Sequence, residues 1–76
     1  MTDLEWLNNF SNNLSALMRE ANMSMRELAE EADISVATIS KYLNGRQAPS
    51  YRALVNLAYA LDCDINELAD FGDRIR

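Results

Sequence analysis

The stretch SMRELAEEADISVATISKYLNG, residues 24–45, decides how this chain folds. Ser24 and Glu27 stand three apart, so the Ser hydroxyl can accept from the Glu amide while the Glu carboxylate reaches back to the Ser amide. That reciprocal cap starts a helix, and Leu28, Ala29 and Ala32 give it one apolar stripe. Asp33-Ile34 breaks it, and Ser35 offers a second N-cap. The next helix runs through Ile39, Tyr42 and Leu43 until Asn44-Gly45 stops it. Two helices this close cross tightly only with a small residue at the contact, which Ala29 supplies. Ile34 can plug the corner, and Ile39 with Tyr42 can face Leu28 and Ala32. This is the geometry of a helix-turn-helix, whose second helix projects from the surface.

Working outward, Leu4, Leu7, Phe10, Leu14, Leu17, Met18 and Ala21 recur at steps of three and four, a helical period. The Asn pairs at 8–9 and 12–13 are poor helix-interior residues, so this segment reads either as one long helix or as two pieces. Asn22 can end it, because Asn tolerates the left-handed conformation. On the other side, Pro49-Ser50 opens a helix with Leu54, Leu57, Ala58 and Leu61 on one face and Val55 beside it. Asp64 and Glu67 have capping-box spacing for a last short helix anchored by Ile65, Leu68 and Phe71. The expected fold is all-α with five short helices, in a single domain over residues 1–76. The two-helix motif spans about 24–45, and a helical extension covers 3–13.

Composition agrees. Two Gly and one Pro in 76 residues are too few for the tight turns of an all-β chain. Apolar residues make up 49%, a globular proportion. A single Cys excludes a disulfide framework, and the absence of His excludes imidazole metal sites and Ser–His or Cys–His pairs. No cofactor is expected. Asp62, Asp64 and Asn66, with Asp73 further on, have a faint calcium-loop spacing, but the loop's sixth position is Glu67 where Gly is needed. No apolar run is long enough to cross a bilayer, and the acidic Met1–Glu5 start is not a secretory signal. A cytoplasmic protein with a reduced thiol is expected, with Cys63 a small buried residue.

Net charge is −5, which taken whole speaks against a polyanion partner. The distribution reverses that. Residues 1–33 carry seven acids and two bases, and residues 62–76 five acids and two bases. Between them, residues 34–61 hold Lys41, Arg46 and Arg52 and no acid. A carboxylate-free stretch within an acidic chain suggests a surface that meets something anionic, the plainer reading being chance and a solvated face.

The run from Met23 to Asp70 resembles the lambda-repressor/Cro-like (XRE-type) helix-turn-helix family. The resemblance lies in the ordered set Leu28-Ala29, Ile39-Ser40, Tyr42, Asn44-Gly45, Pro49-Ser50, Leu57-Ala58, Ala60-Leu61 and Glu67-Leu68, and extends from about Leu14 to Ala69. It implies a five-helix lambda-repressor-like fold and a sequence-specific DNA-binding regulator, a repressor or small phage-type regulator. The chain departs from the family pattern at four points. Asn22 and Asp33 stand where Gly is common, and both accept positive φ. Met25 replaces a Gln that touches the DNA backbone in many members, so Ser24 or Arg26 must serve. Met18 and Leu43 occupy the positions of a buried Arg–Glu pair, and an apolar pair of similar volume can match it in stability. Overall acidity is unusual in the family.

With about 100° per residue, Ala37, Lys41 and Asn44 share an outward face of the second motif helix, with Ser40 beside them and Val36 at the tip. These residues can read bases: Lys41 can donate to guanine O6 or N7, and Val36 and Ala37 can pack on a thymine methyl. Ser24, Arg26, Ser35, Asn44, Arg46, Gln47 and Arg52 are candidates for the DNA backbone. The plainer reading of each is a solvated surface. Trp6, Phe10, Leu4 and Leu7 complete the core or form a dimer or partner surface, and Met23 and Met25 read as gap-fillers. One such domain covers a half-site, so a homodimer on double-stranded DNA is expected. The rival reading is a protein-interaction module of antitoxin or anti-repressor type, favoured by the acidity. An enzyme is not expected, because no nucleophile–base pair or phosphate loop is present.

Overall fold

The computed structural model describes residues 3–69. Phe71 and Asp73 lie outside the described residues. Five helices follow in order: α1 Asp3–Ala21, α2 Met25–Ala32, α3 Val36–Leu43, α4 Tyr51–Leu61 and α5 Ile65–Ala69. There is no strand among the described residues.

The segment around the Asn pairs is one continuous helix of 19 residues. Two polar side chains that weaken it locally tie it to the rest of the molecule. The Ser11 hydroxyl donates to the Tyr42 carbonyl oxygen at 2.6 Å, and Asn13 Nδ2 donates to the Leu68 carbonyl oxygen at 3.1 Å. A buried bond of this kind contributes about 1 kcal/mol, enough to offset the propensity cost of one Ser or Asn. α1 is thereby fastened to the C-terminal ends of both α3 and α5.

Helix starts follow the serines. Ser24, Ser35 and Ser50 accept from the amides of Glu27, Thr38 and Ala53, each at 3.1 Å. Only Ser24 completes the full box, its own amide donating to Glu27 Oε1 at 2.9 Å. The box expected at Asp64 is half-formed: the Asp64 amide donates to Glu67 Oε2, but the Glu67 amide bonds the Asp64 backbone carbonyl. Helix ends follow left-handed residues. Asn22, Asp33, Gly45 and Asp62 have φ of 56°, 58°, 68° and 55°. At Asn22, Gly45 and Asp62 the following amide folds back to a carbonyl five residues earlier, with the Schellman pattern: Met23 to Met18 at 3.0 Å, Arg46 to Lys41 at 2.9 Å, Cys63 to Ala58 at 3.0 Å. Asp33 leads to the same back-bond, from Ile34 to Ala29 at 3.0 Å.

The core draws a fully buried side chain from every helix: Phe10 and Leu14, then Leu28, Ile39, Leu57 and Leu68. Each stabilises the fold by about 1.5–3 kcal/mol relative to exposure. Ala29 is buried in α2, Met18 is buried, and the half-buried Ile34 and Leu43 pack on the same cluster. The positions of the family's Arg–Glu pair are therefore apolar packing. Phe10 stacks on Trp6 at 5.8 Å between ring centroids and meets Tyr42 edge-on at 5.6 Å. Two expectations are corrected. Leu4 is 66% exposed, so only Trp6, Leu7 and Phe10 of that group reach the core. Met23 packs against the core as a gap-filler, but Met25, at the first position of α2, is 39% exposed.

Candidate nucleic-acid interface

α3 is held by its inward side and by both ends. Ile39 and Tyr42 are buried, while Thr38 and Leu43 are half-buried. Burial raises the Tyr42 phenol above its ordinary value, consistent with a neutral ring in the core. At the C-terminal end, Ser11 and the Gly45 amide (3.2 Å) both donate to the Tyr42 carbonyl. A Cβ on Gly45 would lie 3.5 Å from Ser11 Oγ and 3.7 Å from Asn8 Oδ1, so the stop of α3 abuts α1. α3 is thus a short rigid ridge seated on the longest helix.

The outer side of that ridge is open. Val36 is 43% exposed, Ala37 and Lys41 are exposed, and Ser40 is half-buried. Together with Asn44 they span an arc of about 140° that holds no carboxylate. Ser24, Arg26, Ser35, Asn44, Arg46, Gln47 and Arg52 are all exposed as well. The acidic side chains of α2 gather elsewhere: Glu27, Glu30 and Glu31 border a hollow with Ala21, Asn22 and Met23, to which α3 contributes nothing.

Hydrogen bonding refines three of these positions. Ser35 Oγ accepts from the Thr38 amide and donates to Thr38 Oγ1 at 2.8 Å. Its proton is committed, so an anion at this helix start would meet backbone amides rather than the hydroxyl. Ser24 Oγ accepts from Glu27 and keeps its proton for an outside acceptor. Asn44 Nδ2 donates to Ser40 Oγ at 3.4 Å, which links the two polar side chains along the open edge. Sequence reasoning missed Thr38 and Ser11 as positioning residues. The Ser-x-x-Thr spacing could have indicated the first, but the Ser11–Tyr42 contact joins residues 31 apart and has no local signal.

The helix-turn-helix family profile matches residues 14–68, most of the chain. The chain belongs to the helix-turn-helix family. Its fold and motif are those of the lambda-repressor/Cro-like branch, and it carries a DNA-binding domain of the kind found in transcriptional regulators. Among solved structures it is similar to the restriction-modification controller protein C.AhdI from Aeromonas hydrophila. The identity there is 26% and the TM-score 0.79, over 82% of this chain and 94% of that one. It is also similar in fold to an HTH_3 family transcriptional regulator from Vibrio cholerae, at 21% identity and TM-score 0.84. That match covers 88% of this chain and 38% of the other. The clp gene regulator ClgR from C. glutamicum shares the fold at 20% identity and TM-score 0.78, with 93% and 96% covered. None of the curated proteins matches the chain by sequence. No described helix of this helix-turn-helix protein is long and apolar enough to cross a membrane.

Proposed function

We propose that this helix-turn-helix protein is a cytoplasmic transcriptional repressor that reads double-stranded DNA as a homodimer, with α3 in the major groove. One observation carries the reading: the open edge of α3 presents Val36, Ala37, Ser40 and Lys41 together, free of carboxylates, on a ridge anchored at its rear. Val36 and Ala37 suit a thymine methyl, and Lys41 suits guanine O6 or N7. Ser24, Arg26, Asn44, Arg46 and Gln47, exposed on the same motif, with the amides at the start of α3, would be the phosphate contacts that set register. Two copies would place their α3 helices about 34 Å apart on a palindrome. The acidic remainder of the surface would weaken non-specific adhesion and leave selection to this edge.

Binding sites selected from a random duplex pool test this. On the selected site, Lys41→Ala relaxes preference at one base pair per half-site, while Arg46→Ala weakens all sequences alike. A silent Lys41→Ala removes the groove assignment. A pool that yields no bound sequence favours the protein-interaction module instead.

A further inference from the structure

We infer that the outer face of α4 is where two copies of this chain meet, antiparallel, about a two-fold axis through Val55. The inference deepens the reading above by placing the dimer surface, and rests on it only for the expectation that a dimer exists.

Tyr51, Val55 and Tyr59 stand at i, i+4 and i+8 of α4, so they line one face over about 12 Å. They are 75%, 42% and 86% exposed, and the opposite side of the helix is the buried Ala53, Leu54, Leu57, Ala58 and Leu61. Single exposed apolar residues are ordinary, but three in register on one helix are not. A merely solvated face would carry charge at those positions, and α4 contains no carboxylate at all. At roughly 200 Å² for a whole tyrosine, the stripe offers roughly 400 Å² per copy, about half of what a standard interface takes from each partner. The flanks supply the rest.

Those flanks identify the occupant. Arg52 lies at the N-terminal end of the stripe, where the helix dipole is positive. Tyr59 at the other end borders a hollow with Asp62, Cys63, Asp64 and Glu67. The face is therefore basic and aromatic at one end, acidic and aromatic at the other. Antiparallel pairing sets Tyr51 of each copy beside Tyr59 of the other and points each Arg52 toward the other's acidic end. Parallel pairing would join like ends. An unrelated partner would have to supply both signs in the right order, which a second copy of this chain does by symmetry.

Sedimentation equilibrium of the full chain without DNA tests the placement. The dimer forms at micromolar concentration and weakens as salt rises. Val55→Ala and Tyr59→Ala each raise its dissociation constant at least about tenfold, as loss of a central anchor does. Both leave the helical circular dichroism of the dilute, monomeric chain in place, since the sites are exposed and Ala favours helix. A chain that stays monomeric overturns the inference, as does a dimer that ignores both substitutions but is lost on Leu4→Ser. Because no DNA is present, either failure leaves DNA binding to be judged by its own titration.

Discussion

Arg46→Ala gives the most quantitative handle on the phosphate contacts. Arg46 leaves the C-terminal end of α3 with its amide tied back to the Lys41 carbonyl at 2.9 Å, so its exposed side chain starts from a fixed backbone. Arg26 projects from the first turn of α2 on the other side of the motif. If each of these two touches one phosphate, a dimer neutralises about four, and log affinity falls against log salt with a slope of about −3.6. Raising salt from about 50 to about 200 mM then costs roughly 150-fold in affinity. Arg46→Ala removes two of the four contacts, halves the slope to about −1.8 and cuts that loss to roughly 12-fold. Lys41→Ala, aimed at a base, leaves the slope on random duplex nearly unchanged. Fluorescence anisotropy on a labelled random duplex across five salt concentrations reads all three slopes. An Arg46→Ala slope equal to that of the unaltered protein refutes the assignment of this residue to the DNA backbone. A slope near zero in the unaltered protein refutes the electrostatic footprint altogether.

Gly45→Ala should lower stability by about 1 kcal/mol, because φ is 68° there and the added Cβ meets Ser11 and Asn8 only at ordinary contact distance. The melting point falls by about 4–8 °C, and an unchanged melt would mean that the turn is not fixed as described. Burial, then the neighbouring Glu67, Asp64 and Asp62 carboxylates, hold the Cys63 thiol above its ordinary value. Alkylation of Cys63 should therefore need higher pH than a free thiol. Because its folded value is raised, any stability it contributes is present at neutral pH and lost as pH rises past the unfolded thiol's range. Alkylation at the pH of a free thiol contradicts this.

The helix boundaries were legible in the sequence because short-range chemistry sets them. Ser24 with Glu27, Ser35 and Ser50 act within three residues, and Asn22 and Asp33 adopt the positive φ that their side chains tolerate. The core followed from helical period within each helix, as with Leu54, Leu57, Ala58 and Leu61, which fall on one face of α4 and are all buried. What stayed illegible depends on contacts between distant segments. Low propensity at the Asn pairs left α1 ambiguous, whereas the bonds from Ser11 and Asn13 to distant carbonyls hold it whole. Leu4 and Met25 keep the helical period of the core, but they stand in the first turns of α1 and α2 and stay in solvent. At the interface, the exposed set on α3 could be placed by counting 100° steps, while the hydroxyl geometry that commits Ser35 to Thr38 could not. The Tyr51–Tyr59 stripe is visible in the sequence as spacing, but only its exposure separates it from core.

The central claim is that the Val36–Lys41 edge meets DNA, and backbone amide shifts recorded during titration with a selected duplex test it most directly. The account predicts the largest changes at Ser35 to Lys41, with smaller ones at Ser24, Arg26 and Arg46. Changes confined to the Leu4–Trp6 end of α1, with α3 unmoved, would contradict it.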